Sequence, residues 1–360
     1  MEPPLDNSCP VPTQPAWPLK SHPAPLQPAL ELEDHWVWDN SVVRGDDGKW
    51  HLFTTRWPNN TPYSPYWLYL TEIIRCEADR PEGPYRFKQA CFPERVRDRW
   101  DGMACHNPMV LPWQNRWYMF YRGLTFEGVV PGPENPEPDL SDRFWSDWSR
   151  KSIGVAVSDS IEGPWERCEA PILAPRPGHW DALCASNPAP CIMPDGTTYM
   201  IYKTRSSLES PFYLGMARAP HPLGPYERLG DGPILGNTRE NNFEDPFLWH
   251  DGAHFHLLAK DMAGVTTGEF HAGVHAISED ALHWTPTTPL PVYSLTVQYV
   301  DGATGKLGSF ERPALVFENG EPSWLIGSAA DGPGGFWNAS KTWIAAVPVS
   351  LDSGLLESDI

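Results

Sequence analysis

The chain has 360 residues, 41% of them apolar and only 20% charged, so it is neither a coiled coil nor a disordered tail. Acids outnumber bases 46 to 27, a formal charge of −19, which argues against a protein that grips a nucleic-acid backbone. Forty-one prolines and 29 glycines suit turns between short strands, and 18 tryptophans exceed what a core of this size needs.

The start, Met1-Glu2-Pro3-Pro4-Leu5, has no basic region and no apolar run of a signal peptide, and no stretch approaches the ~18 apolar residues of a membrane span. A cytoplasmic location without membrane association is the expectation. The seven cysteines are odd in number and irregularly spaced, which reads as reduced structural thiols rather than a zinc site. Residues 1–33 read as a proline-rich extended arm, with nine prolines in the first 30 positions. The arm is a candidate for wrapping a neighbouring subunit. Residues 34–360 read as a single domain.

That domain repeats. Five segments share a polar pair, then Pro or Ser, then an apolar strand: Asp39-Asn40-Ser41, His106-Asn107-Pro108, Ser186-Asn187-Pro188, Glu244-Asp245-Pro246 and Glu311-Arg312-Pro313. An aromatic-rich second strand follows each, as in Lys49–Phe53 and Arg116–Tyr121. A third strand, clearest at Ile153–Ser158, leads to Gly-Pro-aromatic at Gly83-Pro84-Tyr85, Gly163-Pro164-Trp165 and Gly224-Pro225-Tyr226. A unit of roughly 60–70 residues with three or four antiparallel strands is what a propeller blade needs. Five repeats predict an all-β, five-bladed β-propeller.

In such a fold the polar pairs converge on one mouth of the central channel. Each second strand runs back antiparallel, so its far end returns there carrying Arg56, Arg122, Lys203 with Arg205, and Lys260 with Asp261. No nucleophile elbow, P-loop, GxGxxG before a helix or HExxH is present. Cys105 and His106 are adjacent on a strand and face opposite ways, which speaks against a thiolate pair. Carboxylates facing one another in an aromatic-lined pocket are the equipment of glycoside hydrolysis, and flat tryptophan faces suit the apolar faces of sugars.

Asp39-Asn40-Ser41-Val42-Val43 with Gly48–Phe53, Phe243-Glu244-Asp245-Pro246, and Gly154–Asp159 with Gly163-Pro164-Trp165 resemble motifs of the five-bladed propeller glycosidases, chiefly glycoside hydrolase family 43, with kinship to families 32, 68, 117 and 130. The resemblance spans roughly residues 34–350. It implies Asp39 as general base, Glu244 as general acid and an inverting outcome. The family's third-blade aspartate, which tunes the acid, is replaced here by Ser186-Asn187, leaving Asp181, Asp245 or Glu311 for that role. Glu311-Arg312-Pro313 and Lys260-Asp261-Met262 depart from the family's arabinofuranosidases and xylosidases, which points to a terminal anionic or anhydro sugar, as in family 117. Arg56, His106, Asn107, Arg122, Asn187, Lys203, Lys260, His271 and Arg312 are the expected substrate contacts. Family 43 members often hold calcium in the channel, but no oxygen cage with loop-like spacing is visible and no cofactor is expected.

A long excursion at residues 124–150, bearing Phe144, Trp145 and Trp148, is expected to wall one side of the pocket and make the enzyme exo-acting. Gly264–Gly273 is a second candidate rim loop. The substrate would be an oligo- or polysaccharide. The alternatives are a phosphorylase using inorganic phosphate, or a carbohydrate-binding propeller without catalysis.

Overall fold

The computed structural model describes residues 14–132, 140–236 and 238–352, with residues 140–142 as backbone alone. Cys9 and residues 133–139 of the excursion lie outside the described residues. Five four-stranded antiparallel sheets follow one another as the blades of a five-bladed β-propeller, as the repeats predict. The innermost strands are His35–Arg44, Ala104–Trp113, Ser186–Ile192, Phe243–His250 and Ser309–Glu318. Their antiparallel neighbours are Trp50–Pro58, Arg116–Leu124, Thr198–Thr204, Phe255–Asp261 and Glu321–Ala330.

One blade is apolar on both faces, so its stability depends on a neighbour covering each. Phe53 and Ile73 of blade one accordingly meet Val110, Met119 and Tyr121 of blade two. Leu214 and Met216 of blade three meet Leu248 and Leu257 of blade four. Among the described residues, no helix is long and apolar enough to cross a membrane.

Every innermost strand carries a bulge at the same level: between Trp38 and Ser41, His106 and Met109, Ser186 and Ala189, Glu244 and Phe247, and Glu311 and Ala314. Each bulge holds one residue in the left-handed region: Asp39 (φ 67°), Asn107 (55°), Asn187 (49°), Asp245 (56°) and Arg312 (56°). Asp and Asn reach that region readily through their short polar side chains; arginine does not. Arg312 is held there by its own N–H, which donates to Asp245 Oδ2 at 3.1 Å.

The bulges correct the alignment of blade one by a single residue. Asp39 is the equivalent of Asn107 rather than of His106, and Trp38 takes the His106 place. Thr55, not Arg56, stands opposite Trp38, as Arg122 stands opposite His106 and Lys260 opposite Glu244. Side chains alternate along a strand, so one step sends Arg56 to the other face. Its Nε donates to Glu72 at 2.8 Å and its guanidinium lies over the Phe87 ring. Arg56 is therefore not a site residue.

The arm is not a separate segment over residues 14–32. Leu19–Ser21 pairs with Thr342–Leu351 as the outer strand of blade five, so the two ends of the chain close the ring together. Trp17 is buried, its ring stacked on that of His275 at 3.8 Å, and its backbone N–H donates to the Thr288 carbonyl at 2.8 Å. Ala29 and Leu30 are buried in the seam between blades five and one. These apolar side chains are satisfied within the protein's own ring. Trp17→Ala should destabilise the protein by about 3 kcal/mol, since a buried indole is lost and the cavity refills only in part. A urea titration measures this, and an unchanged midpoint would show that the arm does not hold the ring shut.

Candidate active site

The bulge residues close the channel under the mouth. Asp39 Oδ2 accepts from the backbone N–H of Asn107 at 2.9 Å and from Thr55 Oγ1 at 2.7 Å, while Oδ1 accepts from Asn107 Nδ2 at 2.7 Å. Asp245 accepts from Asn187 Nδ2 at 2.6 Å and from the N–H of Arg312. The Arg312 guanidinium spans the channel, with Nε 3.4 Å from Asp39 and Nη1 3.6 Å from Asp245. Asn40 Nδ2 donates to the Arg312 carbonyl at 2.8 Å. Burial raises the pKa of Asp39, but His106, Arg312 and Thr55 more than offset it and hold it well below the usual carboxylate range.

Asp39 is fully buried and contributes nothing to the cavity wall. It lies beneath His106, whose Nδ1 is 2.8 Å from Asp39 Oδ2. Neither ring nitrogen has a hydrogen-bond partner among the described residues, and both are buried, so the close approach to Asp39 is an electrostatic contact rather than an aligned hydrogen bond. Burial, reinforced by Arg122 and Arg312, lowers the His106 pKa in spite of Asp39, so the ring is neutral.

Above this floor is a cavity of about 410 Å³. A larger one, about 650 Å³, opens at the other end of the channel, but its wall is built from Val42, Leu111, Ile192, Leu248 and Leu315, and the carboxylates gather at the mouth. There Lys260 Nζ stands 3.0 Å from Glu244 Oε2, 3.0 Å from Glu311 Oε2 and 3.4 Å from Asp245 Oδ2. Glu244 is also paired with Lys203. The two glutamates diverge. Burial raises the Glu244 pKa, but two ammonium groups overcome it and drive the value well below normal. Burial likewise raises Glu311, with Asp245 and Glu244 adding to it against Lys260 alone, and its pKa reaches about 7. Glu311 Oε1 is buried without a hydrogen-bond partner among the described residues.

The walls are aromatic. The helix Leu140–Trp148, inside the long excursion, contributes Phe144, Trp145 and Trp148, so the excursion does line the pocket. Tyr63, Trp67 and Phe336 add further faces, and Trp145, Phe270 and Trp337 are largely exposed at the rim. Lys151 and Arg205 join Lys203 on this side.

Of the residues expected from sequence, His106, Asn107, Asn187, Lys203, Glu244, Asp245, Lys260, His271, Glu311, Arg312 and Trp145 line one cavity. Arg122 is fully buried behind that wall, its guanidinium 5.9 Å from the centre of the Trp67 ring. His271 has a pKa near 4, lowered by burial and Lys260, and is neutral. His275 is a core residue, bonded to His256 and Thr287. Asp181 is not at the site: it is fully buried and clasped by Arg176, Arg228 and Tyr202. Asp101, which follows Trp100 as Asp181 follows Trp180, is clasped in the same way by Arg99 and Tyr121, so both Trp-Asp pairs serve as structural braces. The Cys105 thiol is pushed up to about 12 by burial and donates to the Asp101 carbonyl, so no thiolate pairs with His106. Lys151, Trp67 and Tyr63 were not legible in the repeats, because they come from the links between strands and from a strand edge. Among the described residues no group of three or more His, Cys, Asp or Glu is spaced to hold a metal ion.

No protein-family model matches the chain, and no curated protein matches it. Solved structures do. A family 117 glycoside hydrolase from the marine bacterium Zobellia galactanivorans superposes with a TM-score of 0.65 at 14% identity, over 94% of this chain and 91% of that one. A family 43 β-xylosidase/α-arabinofuranosidase from a compost metagenome, solved with xylotriose, gives 0.59 at 14% identity, over 93% and 96%. The Bacillus subtilis arabinanase Arb43A gives 0.53 at 11% identity, over 90% and 97%. At these identities the likeness is one of fold: all are similar to this chain as whole five-bladed propellers.

Asp39→Asn should lower stability at pH 7 by about 3 kcal/mol, because it leaves Arg312 buried without one of its two carboxylates. A group with a depressed folded pKa stabilises above its unfolded value of about 4 and loses that contribution as pH falls further. The variant's stability should therefore change less than the wild type's below about pH 4 in urea titrations. Parallel curves would refute the clasp.

Proposed function

We propose that the protein is an exo-acting glycoside hydrolase that cleaves a terminal sugar held in this cavity. The observation that carries the reading is the separation of two neighbouring carboxyl groups, Glu311 with a pKa near 7 and Glu244 held far lower. Environments that push a pair apart in this way divide the labour of acid and anion. Glu311 is the proton donor to the leaving oxygen, a role the resemblance gave to Glu244. Ionised Glu244 stabilises the positive charge that develops at the anomeric carbon.

The base is the Asp39–His106 pair. Neutral His106 lines the cavity floor with ring nitrogens that make no hydrogen bond among the described residues, and Asp39, 2.8 Å from Nδ1, stabilises the imidazolium that forms when a water's proton is taken. Asp39 thus acts through His106 instead of touching the water itself. Water attack opposite the departing group inverts the anomeric centre. The aromatic helix closing one side of the cavity supports cleavage at chain ends, and the stacked rings at the rim suit sugar faces. The similar folds of the family 117 and family 43 hydrolases support the same chemistry.

The wild-type kcat/KM, found by screening aryl glycosides, should fall as pH rises through about 7, where Glu311 loses its proton. Glu311→Gln should lose about 10²–10⁴-fold on alkyl or sugar leaving groups. It should keep most of its activity on dinitrophenyl glycosides, which leave unprotonated, and lose the alkaline limb. His106→Gln should be equally poor on both substrate types. Rescue of Glu244→Gln, and not of Glu311→Gln, by the activated leaving group would return the acid role to Glu244.

A further inference from the structure

The cations around the site are unevenly matched. Lys203 and Lys260 hold Glu244 and Glu311, Arg312 spans Asp39 and Asp245, and Arg205 donates to the Ser210 and Leu208 carbonyls. Lys151 and Arg122 are left over. Lys151 is 1% exposed and lines the cavity, with Nζ 3.3 Å from the centre of the Trp148 ring and 5.8 Å from that of Trp67. It makes no side-chain hydrogen bond or ion pair among the described residues. Arg122 is fully buried, and none of its three guanidinium nitrogens has a hydrogen-bond partner among them. Both lie against Trp67, so the two cations share one corner.

Such a corner is expensive in isolation. Burial, with Lys203 and Arg122 adding to it, pushes the Lys151 pKa well below the usual lysine range, so holding this amine as a cation without a counter-charge is costly, and ring quadrupoles repay only a fraction of that cost. The cost makes sense if the missing charge arrives with a ligand. The chain as a whole carries a formal charge of −19, which disfavours anions elsewhere, so the positive corner is a local and selective feature. Glu244, ionised and on the same side of the cavity by way of Lys203, disfavours a dianion more than a monoanion.

We infer that Lys151, backed by Arg122 and packed on Trp67 and Trp148, is the subsite for a carboxylate carried by the terminal sugar, so that the substrate ends in a uronic acid. This deepens the hydrolase reading and rests on it for the statement that the ligand is a sugar. The carboxylate takes a hydrogen bond from Lys151 and feels the field of Arg122, while the aromatic faces cover the ring. No side chain in the motifs of the five blades supplies Lys151: it precedes the third strand of blade two, directly after the aromatic helix.

The experiment is binding to the intact protein by calorimetry and thermal shift, with D-glucuronate and D-galacturonate set against glucose and galactose, and with inorganic phosphate as a separate arm. The wild type should prefer a uronate to its neutral counterpart. Lys151→Met should weaken uronate binding by about tenfold to a hundredfold, in line with a lost charged hydrogen bond, and leave neutral sugars unchanged. Lys151→Arg should restore part of the preference. Without ligand, Lys151→Met should melt above the wild type, because an unmatched buried amine is gone; a merely structural lysine would give the reverse. Equal binding of acid and neutral sugars, or a preference that survives in Lys151→Met, overturns the subsite and leaves the hydrolase reading standing. Lys151-dependent binding of phosphate without uronate also overturns it, in favour of a free anion. Failure to hydrolyse any glycoside, with the uronate preference intact, would sink the hydrolase reading instead.

Discussion

The propeller turns on a knot at its axis, where side chains of different blades satisfy one another's backbone. Asp39 reaches across to the N–H of Asn107, and Asp245 to the N–H of Arg312, while the Arg312 guanidinium joins both carboxylates. These contacts lie where apolar packing alone leaves a hole, since five wedges cannot fill their common centre with main chain. A bulge in each inner strand frees one residue to turn inward, and the left-handed backbone aims it. Removing a partner would leave a charge buried without compensation, which is why the centre tolerates little change.

The same knot decides what faces the cavity. Because the bulge residues point into the axis, the residues just before them, His106, Ser186, Glu244 and Glu311, are presented to the mouth. Asp39 is thereby withdrawn from solvent, and its charge reaches the cavity through His106, Asn107 and Arg312. Lys260 sits equally close to Glu244 and Glu311, and it is the second ammonium, Lys203, that leaves Glu244 ionised while Glu311 keeps its proton near neutrality. Acid and anion are thus set by how many ammonium groups each glutamate meets, not by residue type.

Around the cavity Lys260 joins Glu244, Glu311 and Asp245, Lys203 is paired with Glu244, and Lys151 and Arg205 lie against Trp148 and Phe212. Glu244, Asp245, Glu311 and Arg312 belong to the inner strands of blades four and five, whereas Phe144, Trp145 and Trp148 come from the excursion of blade two, a segment long enough to vary without disturbing the ring.

The repeats by themselves determined the architecture. Proline and polar pairs at regular spacing, each followed by an aromatic strand, admit few ways of burying their apolar faces other than a ring of blades. Convergence of Glu244, Glu311, Lys260 and Arg312 on one mouth followed from that ring. What the chain could not show in one dimension was register and company. A single bulge residue moved Asp39 under the floor and Arg56 to the other face, because side chains alternate with a period of two. Asp181 looked like a spare acid until Arg176, Arg228 and Tyr202 were seen around it. The arm became the outer strand of blade five because Trp17 and Leu30 find apolar seams only in three dimensions. Neighbours distant along the chain set burial and charge pairing, and with them protonation, so the roles of these residues belong to the tertiary structure.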